Sequence, residues 1–154
     1  MAKSFLLVDA HNVIFARPEL AALHRQNRTA AREKLLQILE RLQDAGGTRV
    51  VAVFDGATEK NPGTDFSGTA GVQVFYAQGA DAVIERLVAK YAAKHHLTVA
   101  TDDNLVRTAA IAAGASTIGV DQLFAEIAES EKEIGQTLEK IAAQEVTAPL
   151  TATT

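Results

Sequence analysis

Phe5-Leu6-Leu7-Val8-Asp9 is an unbroken apolar run that stops on a carboxylate. A strand with one wet face alternates apolar and polar residues, whereas an unbroken run belongs to a strand covered on both faces, as in a parallel sheet. Arg49-Val50-Val51-Ala52-Val53-Phe54, followed by Asp55-Gly56, repeats the pattern. Val72-Gln73-Val74-Phe75-Tyr76 and Leu97-Thr98-Val99-Ala100-Thr101 are further strand candidates rich in β-branched or aromatic residues, the second leading into Asp102-Asp103. Ser116-Thr117-Ile118 is a weaker fifth. Helix-period segments lie between them. Leu35, Leu36, Leu39 and Leu42 keep helical spacing within 29–44, and Gly46-Gly47 predicts a left-handed stop. Residues 80–95 carry Val83, Ile84, Leu87, Val88 and Tyr91 on one stripe, and the Ala-rich segment 104–113 ends at Gly114. Asp121 is the expected N-cap of a last helix over about 121–144, with Leu123, Phe124, Ile127, Ile134, Leu138 and Ile141 on one face. Strands alternating with helices imply βαβ crossovers and an α/β fold with a mainly parallel central sheet and helices on both faces.

At 154 residues, 47% apolar and 22% charged, the chain has the size and composition of one globular domain. We read 1–144 as that domain and 145–154, Thr-rich with Pro149, as a flexible tail. The stretch 57–71 holds Pro62, Gly63, Gly68 and Gly71 and is expected to be a mobile loop within the domain. Having no cysteine, the chain has no thiolate chemistry and no disulfide. It shows neither a signal peptide nor an apolar run long enough for a membrane span, so the cytoplasm is the expected compartment. The net charge of −4 is unevenly spread. Residues 1–120 hold 13 basic and 12 acidic residues, a balance of +1, and residues 121–154 hold 2 and 7, a balance of −5. Acidity therefore does not exclude a polyanionic partner for the first 120 residues, although such affinity rests on Lys and Arg.

Ligands of an open parallel sheet bind beyond the carboxyl ends of its strands. Three strand candidates end there in acids: Asp9, Asp55 and the pair Asp102-Asp103. Asp81 and Glu85, spaced i, i+4 at the start of the helix after the third strand, face the same end. Any one of these acids alone is a helix cap or a turn pin; together at one edge they repel unless a cation neutralises them. Hard divalent ions such as Mg²⁺ take oxygen ligands, and a pair of them stabilises an in-line phosphoryl displacement. Asn12 either orients the turn after the first strand or holds a phosphate or water. His11 reads as a solvent-exposed turn residue, and His95-His96 as a charge match to a helix end rather than a metal pair. Arg17, Arg25, Arg28, Arg32 and Lys34 form a basic run. Its ordinary meaning is a solvated helix face, but Arg25, Arg28 and Arg32, with Lys60 from the loop, are the candidates for gripping a nucleic-acid backbone.

Taken in order, Leu7-Val8-Asp9-Ala10-His11-Asn12-Val13-Ile14, Arg32-Glu33-Lys34-Leu35-Leu36, Val53-Phe54-Asp55-Gly56, Gly79-Ala80-Asp81-Ala82-Val83-Ile84-Glu85, Thr101-Asp102-Asp103 and Gly114-Ala115 resemble the YacP-like branch of the NYN ribonucleases, within the PIN and flap-endonuclease-like nucleases. The likeness runs from about residue 4 to residue 134. It implies a three-layer α/β/α PIN-like domain and a Mg²⁺- or Mn²⁺-dependent RNA endonuclease, some relatives acting on messenger RNA at the ribosome. By position, Asp9, Asp81 and Asp103 resemble the core acidic ligands, Asp55 the aspartate of the Phe-Asp-Gly motif, and Asn12 the asparagine after the first aspartate. Glu85 and Asp102 are then outer ligands or water orienters. Two places depart from the pattern: Ala10-His11 stands where relatives have Gly-Tyr, and Asp102-Asp103-Asn104 where they have Ser-Asp-Arg. The rival readings are a non-catalytic RNA- or ribosome-binding module of the same fold and a metal-dependent phosphohydrolase of small molecules. The second calls for a nucleophilic Asp-x-Asp after the first strand, and here His11 follows Asp9.

Overall fold

The computed structural model describes the backbone of residues 3–56 and 71–152, with side chains as far as residue 144. The apolar runs form five strands: β1 (Ser4–Asp9), β2 (Arg49–Asp55), β3 (Gln73–Ala77), β4 (His96–Ala100) and β5 (Ser116–Ile118). All pair in parallel, in the order β3-β2-β1-β4-β5. β1 is central, with Leu7 level with Val51 on one side and Val99 on the other. Its neighbours bury it on both edges and both faces, which is why its apolar run shows no alternation.

Six helices cover the sheet among the described residues: α1 (Ala10–Ala16), α2 (Pro18–Gln26), α3 (Arg28–Ala45), α4 (Ala80–Tyr91), α5 (Asn104–Ala112) and α6 (Val120–Ala152). Side chains alternate across each strand, so the sheet feeds two cores. Phe5, Leu7, Val51, Val53, Phe75, Leu97 and Val99 pack under α4 and α5, against Ile84, Leu87, Val88, Val106 and Ala110. Leu6, Val8, Val50, Ala52, Phe54 and Ala100 pack under the other helices, against Val13, Ile14, Leu20, Leu35, Leu39, Leu123 and Ile127. Leu35 and Leu39 are wholly buried. Each such side chain contributes roughly 1.5–3 kcal/mol of transfer free energy, which holds α3 to the sheet more firmly than helix propensity would.

Several details depart from the sequence reading. The turn expected after β1 is a helix: α1 starts directly on Asp9, and α2 follows with Pro18 at its first turn, where the missing N–H costs nothing. Asn27 then caps α3 by accepting from the Ala30 N–H at 3.1 Å. Gly46 ends α3 in extended backbone at φ −130°, not in a left-handed turn. α4 stops at Tyr91, so His95 lies beyond the helix, where its Nδ1 accepts from the Lys3 N–H at 3.1 Å, and His96 opens β4. α6 begins one residue ahead of the expected cap, at Val120, with Asp121 in its first turn, and runs to Ala152 past the boundary read near 144. Good helix formers continue through Ala142-Ala143-Gln144-Glu145, and no glycine interrupts them. The expected loop at 57–71 lies, but for Gly71, outside the described residues. Among the described residues no helix is long and apolar enough to cross a membrane.

The chain leaves β1 for β2 and β3 on one side, then crosses to β4 and β5 on the other. The order therefore reverses between β1 and β4, and a crevice opens beyond their carboxyl ends. That is where Asp9 and the Thr101–Asp103 segment lie.

Candidate metal and phosphate centre

Asp9 is the last residue of β1 and only 9% exposed, a rare state for a carboxylate. Its Oδ2 accepts from Thr101 Oγ1 at 2.8 Å across the switch point. Thr101 is fully buried, and its Oγ1 accepts in turn from the Asp103 N–H at 3.1 Å. The relay ties β1 to the start of α5. Asp103 is the N-cap of α5, its Oδ1 accepting from the Leu105 and Val106 N–H groups at 2.9 and 3.4 Å. Capping engages one of its oxygens.

Asn12, on the first turn of α1, accepts through Oδ1 from the Asp102 N–H at 2.7 Å, fastening α1 to the β4–α5 turn. Asp102 points elsewhere. Its Oδ1 accepts from the Val120 N–H at 3.0 Å and so caps α6. A Cβ on Gly119 would come within 3.0 Å of that oxygen, which explains the glycine.

On the β2 side, Asp55 Oδ1 accepts from the Gly79 N–H at 3.1 Å. Gly79 sits at φ +78°, a left-handed conformation that glycine adopts without penalty, and from there α4 begins. Asp81 lies in the first turn of α4, its Oδ1 bonded to the Ala82 N–H at 3.0 Å.

The four carboxylates share one field. Burial pushes the Asp9 carboxyl above its ordinary pKa, the Thr101 bond opposes this, and the charges of Asp103, Asp81 and Asp55 raise it further. Glu85 and Asp102, both expected at the centre, are not among the charges that act most strongly on Asp9. Glu85 is exposed one turn further along α4, a direction that leads away from the sheet's carboxyl edge, and Asp102 is committed to α6.

Among the described residues none of Asp9, Asp55, Asp81 and Asp103 forms an ion pair; the two bridges run from Arg17 to Glu19 and from Arg41 to Glu131. One buried and three exposed carboxylates, without ion pairs and mutually repelling, are oxygen donors that suit a hard divalent cation. No three His, Asp or Glu side chains among the described residues close around one point as a ready cage. The donor set therefore fits an ion held by one or two carboxylates, with water filling its other positions, which is the habit of Mg²⁺.

The basic residues divide. Arg25 is exposed in the last turn of α2, and Asn27 separates it from Arg28 and Arg32 on α3, so the three do not form one helical stripe. Arg28 is exposed. Arg32 is half-buried, its guanidinium 5.5 Å from the rings of both Phe54 and Tyr76 and 3.6 Å from where a Cβ on Gly56 would stand. It lies beside Asp55-Gly56, at the carboxyl end of β2. Lys60 lies outside the described residues.

His11 is not the exposed turn residue that the sequence suggested. It is half-buried on α1 with its ring edge-on to Phe15, His24 and Phe54. Burial depresses its pKa, and Arg32 adds to the effect. Thr101 was given no role from sequence, although a hydroxyl ending an apolar strand just before two acids was the available signal.

Five parallel strands between two helical layers, with carboxylates converging at the switch point, make this a three-layer α/β/α PIN-like domain. The YacP-like NYN domain model matches residues 6–152, and the chain belongs to that family, whose fold is nuclease-like. The uncharacterized protein YacP of Bacillus subtilis strain 168 is 29% identical over 144 residues, spanning 90% of this chain and 84% of the relative. Two crystal structures of Rae1 (YacP) from Bacillus subtilis are similar throughout. The W164L mutant superposes with a TM-score of 0.77 at 29% identity, covering 92% of this chain and 85% of the other. The second gives 0.75 at 28% identity, covering 97% and 88%.

Proposed function

We propose that this protein is a Mg²⁺- or Mn²⁺-dependent endoribonuclease that hydrolyses RNA phosphodiester bonds in the cytoplasm, with messenger RNA in a ribosomal context as its substrate. The observation that carries the reading is Asp9, its pKa raised by burial and further by the charges of Asp103, Asp81 and Asp55, at the switch point of a nuclease-like fold. A carboxyl buried for stability alone would be paired with a cation; this one is surrounded by like charge.

One or two of Asp9, Asp81 and Asp103 at a time would hold the ion, with water in its other positions and Asp55 beside them. When bound, a divalent cation offsets charge on the scissile phosphate and lowers the pKa of water. Thr101 fixes the direction of the Asp9 carboxylate through its 2.8 Å bond. Asp103 offers the oxygen that is not engaged in capping α5. Asp55 holds Gly79 and so sets where Asp81 starts α4. Asn12 keeps the β4–α5 turn, and with it Asp103, against α1. Asp102 and Glu85 act outside this group, Asp102 by anchoring α6. Arg28 and Arg32 offer positive charge to the RNA backbone on the β2 side. Hydrolysis adds water across the P–O3′ bond, leaving a 5′-phosphate and a 3′-hydroxyl.

The test is incubation of purified protein with a structured messenger RNA, with and without Mn²⁺ and with and without ribosomes, followed by mapping of product ends. Internal cuts bearing 5′-phosphates, lost in EDTA, are expected. RNA that is bound but left intact under every condition would make the protein a binding module instead.

A further inference from the structure

Phe15 is 58% exposed on α1, six residues after Asp9. At 1.5 Å per residue the two backbone positions are separated by about 9 Å along the helix, within reach of a nucleotide next to the phosphate at Asp9. An isolated exposed apolar residue means little. Phe15 is not isolated. Its ring is edge-on to His24 at 4.9 Å between centroids and to His11 at 5.8 Å. His11 is 5.9 Å from His24 and 6.2 Å from the buried Phe54, and Phe54 stacks on Tyr76 at 5.3 Å. A continuous chain of rings thus leads from the carboxyl ends of β2 and β3 to the surface beside the acidic centre, and only its last member is largely exposed.

Such a chain fixes the exposed ring. A base that stacks on it pays little ordering entropy, because the ring's plane is set by its neighbours before binding. The Nε2 atoms of His11 and His24 are buried without a hydrogen-bond partner among the described residues, so both imidazoles serve here as packing surfaces. Cations flank the rings. Arg25 is exposed one residue after His24, and Arg28 and Arg32 are close enough to His11 to act on its charge. A neutral aromatic face between guanidinium groups, next to a phosphate-processing centre, is the combination by which proteins hold single-stranded nucleic acid. The flat face of a base is available only when the base is out of a duplex.

We propose that Phe15, backed by His11 and His24, is the stacking surface for one unpaired base of the RNA beside the scissile phosphate, and that it makes the protein selective for single strands. This rests on the endoribonuclease reading above.

The test uses the full-length chain carrying Asp9→Asn, so that RNA is held and not cut, and a 5′-fluorescein single-stranded 12-mer read by anisotropy. Adding Phe15→Ala should weaken binding roughly 5- to 150-fold, the range for loss of one stacked base. Phe15→Leu should show a similar loss although it keeps apolar volume, Phe15→Trp should restore binding, and a blunt duplex of the same sequence should bind all four proteins equally. A 2-aminopurine in the strand should be quenched by the Phe15 parent and by Phe15→Trp only. Melting curves identify any variant that fails to fold, and the Leu and Trp forms then carry the comparison. If the parent binds the 12-mer and Phe15→Ala, Phe15→Leu and Phe15→Trp bind it equally well, the stacking surface is refuted and the nuclease reading stands. If the parent binds no RNA and the wild type cuts none, both fall together.

Discussion

Replacing Asp9 with asparagine should make the metal-free protein more stable while removing its activity. Asp9 is buried, and Asp103, Asp81 and Asp55 all raise its pKa above the ordinary 3.8. At neutral pH the native state therefore carries a charge that its surroundings disfavour. Two like charges, at an effective dielectric constant of about 20–40, repel by on the order of 1–2 kcal/mol when about 8 Å apart, which sets the scale of one such neighbour. Asparagine is close in shape, and its carbonyl oxygen can still accept from Thr101 Oγ1. What it loses is the ionic strengthening of that bond, at most about 1 kcal/mol. Relief of repulsion from more than one neighbour should prevail, raising Tm by about 2–8 °C for a domain of this size. The sign follows from linkage. A carboxyl with a raised native pKa is favoured in its protonated form, so the wild-type penalty is complete above that pKa and disappears as pH falls through it toward 3.8. The gain from Asp9→Asn should be largest near pH 7.5 in EDTA and vanish near pH 3.5. Mn²⁺ should reverse the order, since an ion that binds only the native wild type stabilises it by mass action. Cleavage should fall at least about 100-fold, beyond the 10- to 100-fold typical of outer-shell changes. Differential scanning fluorimetry across pH, with EDTA or Mn²⁺, reads all of this. An Asp9→Asn variant that melts lower than wild type at pH 7.5 in EDTA would refute the reasoning, because Asp9 would then be a stabilising structural carboxylate.

Thr101→Val should cost about 1–3 kcal/mol by leaving the Asp9 carboxylate and the Asp103 N–H without their buried partner. With its opposing bond gone, Asp9 should titrate higher and move the acid limb of the cleavage pH profile upward, which rate measurements from pH 5 to 8 would detect. Arg28→Glu should weaken RNA binding and flatten its salt dependence by about 0.7 in log–log slope per lost phosphate contact, with Tm unchanged. Arg32→Glu should also lower Tm, because its guanidinium packs over Phe54 and Tyr76 at 5.5 Å, a contact worth about 0.5–2 kcal/mol. Gly79→Ala places a Cβ in left-handed backbone at a cost of about 1–2 kcal/mol, and sets it 3.5 Å from Asp81 Oδ1. A lower Tm accompanied by weaker Mn²⁺ affinity would confirm that this turn positions Asp81.

The sheet was readable because β1 and β2 are apolar runs buried on both faces and β3 and β4 are rich in β-branched or aromatic residues, whereas the partly exposed β5 left a weaker mark. Position at the strand ends likewise marked Asp9, Asp55 and the Thr101–Asp103 segment. Local signals failed where helices are short. Val13-Ile14-Phe15 shows no helical period within seven residues, so α1 was read as a turn and His11 as exposed. Gly46 shows that glycine after a helix permits a left-handed stop without requiring one. The division of labour between Asp102 and Asp103 is invisible in sequence, since adjacent carboxylates differ only in which helix each caps, α6 or α5. Spacing placed Glu85 beside Asp81, but the direction of α4 carries it away from the centre. Arg32 looked like a solvated cation because its aromatic floor, Phe54 and Tyr76, comes from two strands distant in the chain.

The central claim is that the carboxylates at the β1–β4 switch point cut RNA with the help of a divalent ion. Its most direct test is the rate of cleavage of a 5′-labelled single-stranded RNA by wild type and Asp9→Asn, measured side by side across a Mn²⁺ titration. The account predicts internal cuts that saturate with Mn²⁺ for wild type and no metal-dependent cuts for Asp9→Asn. Equal cleavage by the two proteins, or wild-type cleavage that persists in EDTA, would contradict it.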